Sequence, residues 1–91
     1  MGRTSGLAPE SFEEAFFLRI DSYTKHKLDH AVKAIREVFN IRLTEGLQWV
    51  RDTPKPFRIP RGPFPQSEAE WMTKRLRQGG LEVSLVRAEE A

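Results

Sequence analysis

Apolar side chains return along this chain with two different periods, and the change of period marks out its elements. Phe16, Leu18 and Ile20 alternate with Phe17 and Arg19, the period of two expected of a strand with one buried face. Asp21-Ser22-Tyr23-Thr24 reads as turn and cap chemistry, oxygen side chains able to accept from the free N–H groups of a helix start. From Leu28 the period lengthens. Leu28, Ala31, Val32, Ile35, Val38 and Phe39 form one wide helical stripe, and the outward side carries Asp29, Lys33, Arg36 and Glu37. Asn40, which tolerates left-handed backbone, ends this helix.

A second, short helix is expected over Glu45 to Asp52, with Thr44 as its N-cap and Leu47, Trp49 and Val50 buried. Thr53-Pro54 stops it, and the two helices read as an αα-hairpin. Residues 54–65 hold five of the six prolines, which excludes helix and permits only an edge strand, placed at Phe57-Arg58-Ile59. Ser67-Glu68-Ala69-Glu70 has the form of a capping box. It would open a third helix that buries Ala69, Met72 and Leu76 and breaks at Gly79-Gly80. Leu81 to Leu85 alternates again and is the last strand. The order is β-α-α-β-α-β, an α+β domain with a three-stranded antiparallel sheet and three helices on one face. Residues 1–11 read as a disordered tail, 12–87 as the single domain and 88–91 as a charged end.

Composition narrows the chemistry. Ninety-one residues make one small domain with a modest core. The absence of Cys excludes a disulfide framework, a thiolate metal site and a cysteine nucleophile, and fits a reducing cytoplasm. No apolar run approaches the length of a membrane span, and Met1 to Gly6 leads into no apolar stretch of a signal peptide, so a cytoplasmic protein is expected. Ten Arg against five Lys, with a single Asn, hints at a thermophilic source. His26 and His30 stand four apart but lack a third ligand, so no metal is expected. Ser22, Ser67 and Ser84 lie in no nucleophile elbow, and Gly79-Gly80 lacks the rest of a phosphate loop. The carboxylate pairs Glu13-Glu14, Glu68/Glu70 and Glu89-Glu90 sit on tails or a solvated helix end, where nothing raises a pKa. The expectation is no enzyme, no cofactor, no small-molecule substrate and no membrane.

Charge is where the sequence speaks of partners. The net charge of +2 is too small to decide, so clustering matters. Lys25, Lys27, Lys33 and Arg36 decorate the first helix, and Arg51, Lys55, Arg58 and Arg61 run through the Pro-rich connection beside Phe57 and Phe64. Such a surface suits an acidic protein or nucleic-acid phosphates. Set against it, Asp29–Lys33 and Lys33–Glu37 are i,i+4 pairs of opposite sign that would cancel locally. Trp49 and Trp71 are expected to pack in the core or at its rim.

The run Lys33-Ala34-Ile35-Arg36, then Leu43-Thr44-Glu45-Gly46 with Val50 and Pro54, then Ala69-Glu70, Lys74, Leu76, Gly79-Gly80 and Leu81-Glu82-Val83, carries a likeness. Over about residues 16–86 the chain resembles the C-terminal domain of the large-subunit ribosomal stalk protein, the seven/twelve family, whose element order is the same. The resemblance implies a non-enzymatic module that docks an acidic partner, such as a translation GTPase or a ribosome component, on its first two helices. Val32, Lys33 and Arg36 match the family's factor-contacting helix. Lys27 lies next to a further matching position, and Leu47 stands where the family's second helix is basic. The stretch ahead of the first strand does not match the family's dimerisation segment, so a free-standing paralogue is implied. The alternative reading is an RNA- or ribosome-surface-binding domain using Arg51, Lys55, Arg58, Arg61, Lys74, Arg75 and Arg77. The ClpS adaptor shares the stalk domain's fold, and Asp21-Ser22-Tyr23-Thr24 is similar to its entry segment. Arg51, however, falls near the position of that adaptor's pocket His, where a cation would repel a cationic ligand.

Overall fold

Strand β1 (Ala15–Tyr23) is the axis of the molecule, because every other strand pairs with it. A computed structural model describes residues 14–90; the expected tail at 1–11 and the final residue lie outside them. Phe16, Leu18 and Ile20 are buried toward the helices, while Phe17 and Arg19 face the other way, as the alternation predicts. β1 is longer than expected. Asp21, Ser22 and Tyr23 are strand and not turn, carried forward by a bulge between Ile20 and Ser22.

One edge of β1 takes β4 (Leu81–Arg87), antiparallel, from Phe16 opposite Arg87 to Tyr23 opposite Leu81. The other edge takes two short strands from the Pro-rich connection. These are β2 (Phe57–Arg58), opposite Arg19 and Ile20, and β3 (Phe64–Pro65), opposite Ala15 and Phe16. The sheet thus has four strands where three are expected. Proline splits what would be one edge strand into two dipeptides: Pro60 and Pro63 have no N–H to give the ladder, and Gly62 turns the chain between them with φ +102°.

Helix α1 (Leu28–Phe39) follows a short 3-10 turn at Lys25–Lys27 and ends on Asn40 at φ 56°, the left-handed stop anticipated from its residue type. Ala31, Val32 and Ile35 are buried as expected, Leu28, Val38 and Phe39 are half-buried, and Ala34 is fully buried beside the stripe. Helix α2 (Leu43–Leu47) starts two residues early, with Arg42 and not Thr44 at the N-cap. It widens into a π-helical turn over Gln48–Asp52 that buries Trp49 and Val50. Lys55 closes this end. Its ammonium donates to the carbonyl oxygens of Trp49 (3.0 Å) and Thr53 (2.9 Å), acceptors a helix terminus leaves free.

Helix α3 (Gln66–Gln78) begins at Gln66 with Pro65 as its N-cap, and no side-chain cap bond forms. Ser67 therefore lies inside the helix, and the expected capping box is not made; Glu70 instead accepts from Gln66 at 3.0 Å. The helix buries Ala69, Met72, Thr73 and Leu76. The core runs from these side chains through Ile35, Val50 and Ile59 to Leu18, Ile20, Leu81 and Val83 of the sheet. Ala88–Glu90 close with a 3-10 turn. The result is an α+β fold with three helices and an antiparallel sheet.

Candidate functional site

The two helices of the hairpin cross closely because Gly46 has no side chain. A Cβ there would stand 3.2 Å from both Val32 Cγ1 and Arg36 Cγ. This approach leaves a shallow groove of about 240 Å³ between α1 and α2, lined by Leu28, Asp29, Val32, Lys33, Arg36, Leu43 and Leu47. Its floor is aliphatic and its rim is charged. Leu43 is the most telling member, since 51% of it is exposed although Leu usually buries. Leu43 and Leu47 are four apart and project from one side of α2.

Of the residues expected to bind a protein, Val32, Lys33, Arg36 and Leu47 come together in this groove. Val32 is only 4% exposed and contributes floor, not surface. Lys27 does not line the groove; its Cβ and Cδ run along Gly80, 3.5 Å and 3.6 Å from where that residue's Cβ would stand. Leu28 and Leu43 were missed as site residues. For Leu43 the signal in the sequence is the Leu43–Leu47 spacing, which is hidden when the helix is started at Glu45.

The i,i+4 carboxylates of α1 form no direct ion pair with Lys33. Glu37 forms its ion pair with Arg75 of α3, and among the described residues Lys33 has no carboxylate within ion-pair distance. Arg36 donates through Nε to the carbonyl of Ile41 at 3.2 Å, which anchors it beside the joint between the helices. Two cations therefore border an apolar floor, with Asp29 as the one acidic side chain of the lining.

The alternative basic set is not gathered in this way. Arg51 makes a two-pronged pair with Asp52, 2.7 Å and 3.1 Å, which raises the guanidinium's pKa and lowers the carboxyl's. Lys55 is turned inward on Trp49 and Thr53, and its pKa is lowered chiefly by burial. Arg58 lies over the Phe17 ring at 4.4 Å, on the sheet face away from the helices. Arg61 lies 5.6 Å over the Trp49 ring and 3.8 Å from Glu45. On α3, Arg75 holds Glu37, Arg77 donates to the carbonyl of Val83 at 2.9 Å, and Lys74 is exposed. Phe57 and Phe64, expected at the surface, are half-buried in a cluster with Phe39 and Trp49. Trp71, expected to pack, is 52% exposed.

The remaining candidates are quickly placed. His26 and His30 are exposed, and no three His, Asp or Glu side chains converge among the described residues. Asp21 has one oxygen held by Arg19 Nε at 2.7 Å and the other by the Ser84 hydroxyl. Those partners, Ser84 first, hold its pKa below the ordinary carboxylate value and occupy the oxygens an adaptor pocket would offer. No helix among the described residues is long and apolar enough to cross a membrane. Compared with protein-family models and with curated proteins, the chain matches none.

Proposed function

We propose that this chain is a non-enzymatic protein-binding module that docks an acidic partner in the α1–α2 groove, working in the cytoplasm. One observation carries the reading: Leu43, half exposed, completes an aliphatic floor bordered by Lys33 and Arg36. Small transient interfaces are built this way, with a few apolar atoms holding the partner and charge steering its approach. Lys33 and Arg36 supply the steering, and Leu28, Leu43 and Leu47 supply the apolar contact. The resemblance to the ribosomal stalk domain points to a translation GTPase or a ribosome component as the class of partner, since the matching positions are these same residues of the first helix.

The test immobilises the wild type and the Lys33→Glu/Arg36→Glu double variant and compares what each retains at low and at raised salt. A protein retained by the wild type, lost from the double variant and weakened by salt supports the reading. Equal retention by both, or retention of RNA alone, overturns it.

A further inference from the structure

β4 has a second edge, and among the described residues no strand pairs with it. The direction of its backbone groups follows from the ladder. Thr24 N–H donates to Gly80 O at 3.1 Å, and Tyr23 is opposite Leu81, so Gly80, Glu82, Ser84 and Val86 turn their peptide groups toward β1. Leu81, Val83, Leu85 and Arg87 turn theirs outward. Arg77 confirms the parity independently, because its guanidinium reaches across from α3 to the outward carbonyl of Val83. An exposed run of this kind is a template for another strand, and a cation laid over it is a recurrent guard.

Beside this edge runs a trench of about 620 Å³. Its wall is one flank of α3, Glu70, Thr73, Lys74, Arg77 and Gln78, and its floor is Leu85. An unpaired strand next to a helix, with a trench between them, is the arrangement that takes up an extended peptide by strand addition.

We propose that the outer edge of β4 and the flank of α3 form a second binding site, which takes an extended acidic segment of a partner protein as a fifth strand. The segment's backbone pairs with Leu85 and Val83. Side chains on its helix-facing side alternate, so one apolar residue settles against Leu85 and Thr73. A carboxylate two positions away on the same side meets Lys74, which has no ion pair among the described residues. When a peptide N–H takes the Val83 carbonyl, the Arg77 guanidinium is released from it and is free to meet a second carboxylate. Glu70, at the far end of the wall, sets the polarity by repelling an acid placed there.

A second copy of this chain fits less well. Continuing the sheet across a two-fold axis would bring both α3 flanks to the same side, with Lys74 and Arg77 facing their own equivalents. The trench shares no residue with the α1–α2 groove, so its test stands apart from that reading.

The experiment selects a random heptapeptide library on the immobilised full chain, then measures each enriched peptide against Leu85→Pro and Lys74→Glu. Leu85→Pro deletes an outward N–H and none of the bonds to β1, the position at which an edge strand accepts proline. Lys74→Glu alters one exposed side chain, so the outcome does not hang on how well the proline variant folds. Expected are peptides with a carboxylate two positions from an apolar residue that slow exchange of the Leu85 amide by about tenfold or more. Lys74→Glu should weaken them by about tenfold, the penalty of setting like charges together at an interface. The proposal is overturned if no peptide enriches, or if enriched peptides bind both variants as they bind the wild type. It is equally overturned if the Leu85 amide gains protection on raising protein concentration alone, with a doubled mass, which would assign the edge to a second copy.

Discussion

Gly79 and Ala34 touch at a spacing that leaves no room for a Cβ at position 79 unless the helices shift: it would fall 2.7 Å from the Ala34 Cβ and 3.0 Å from the carbonyl oxygen of His30. The backbone at Gly79 is ordinary, φ −85°, so the constraint is one of space and not of conformation. The end of α3 is thereby seated on the middle of α1. Gly79→Ala is expected to destabilise the fold by about 1–3 kcal/mol, the range for forcing an extra methyl into packed surroundings. Gly46→Ala should cost less, because one of its two nearest neighbours at 3.2 Å is the flexible Arg36 stem. Urea unfolding of both variants checks the order, and an unchanged midpoint for Gly79→Ala would refute the account.

What could be read beforehand follows from this packing. The α1 stripe, its stop at Asn40, the break at Gly79-Gly80 and the alternation of β1 and β4 are local signals, and the structure keeps them. Ala34 fell outside the stripe because its burial is made by Gly79, more than forty residues away, which no local period reports. Two of the missed boundaries are alike in cause. Thr44 and Ser67 have cap chemistry, yet each lies inside its helix, since the N-cap backbone is held two residues earlier, by Arg42 and Pro65. The candidate groove was half legible. Lys33 and Arg36 were found from their flank, whereas Leu43 needed the true start of α2, and the freedom of Lys33 needed the cross-helix pairing of Glu37 with Arg75.

Asp21 predicts a pH dependence. Its folded-state pKa lies below the ordinary value because the Ser84 hydroxyl and the Arg19 guanidinium favour the charged carboxylate. A depressed carboxyl pKa stabilises the fold fully above the unfolded value of about 3.9, and the contribution is lost as pH falls below that value through the folded one. Asp21→Asn should therefore be less stable than the wild type at neutral pH by about 1 kcal/mol, the worth of a charge-assisted bond at a partly exposed site. The gap should begin to narrow as pH falls below about 3.9 and close only below the depressed folded-state pKa, where Asp21 is protonated in both states. Thermal unfolding of the two proteins at several pH values decides it; a gap that persists in acid would show that shape and not charge is responsible.

The Lys33→Glu/Arg36→Glu variant is expected to lose some stability as well as binding. Arg36 donates to the Ile41 carbonyl, and removing that bond costs about 1 kcal/mol. Lys33→Glu adds a carboxylate four residues from both Asp29 and Glu37, worth a few tenths of a kcal/mol more. For a domain of this size each kcal/mol lowers the melting temperature by about 4–8 °C. Lys33→Glu alone should melt close to the wild type, so the single variant separates loss of binding from loss of fold. Calorimetry showing the reverse order, with Lys33→Glu the more damaging, would contradict the assigned role of Arg36.

Leu43 gives the sharpest separation between a packing role and a binding role. It sits in the first turn of α2, half exposed, and the core beneath the hairpin is completed by Val32, Ile35, Trp49 and Val50 without it. Leu43→Ser is expected to change stability by no more than about 0.5 kcal/mol, as surface substitutions usually do. Exposed apolar surface of this size confers nothing on the isolated chain and gains free energy only when a partner covers it, roughly 25 cal/mol per Å² removed from water. A half-exposed leucine at the centre of a contact should then carry about 1–2 kcal/mol of binding, a roughly five- to thirtyfold loss of affinity in Leu43→Ser. Because no charge changes, the loss should appear in the dissociation rate and be insensitive to salt, whereas Lys33→Glu should act on the association rate and fade as salt rises. Stopped-flow or surface-based kinetics with the captured partner measures both rates for both variants. Equal binding by Leu43→Ser and the wild type would mean that the partner does not touch the groove, and the α1–α2 assignment would be withdrawn.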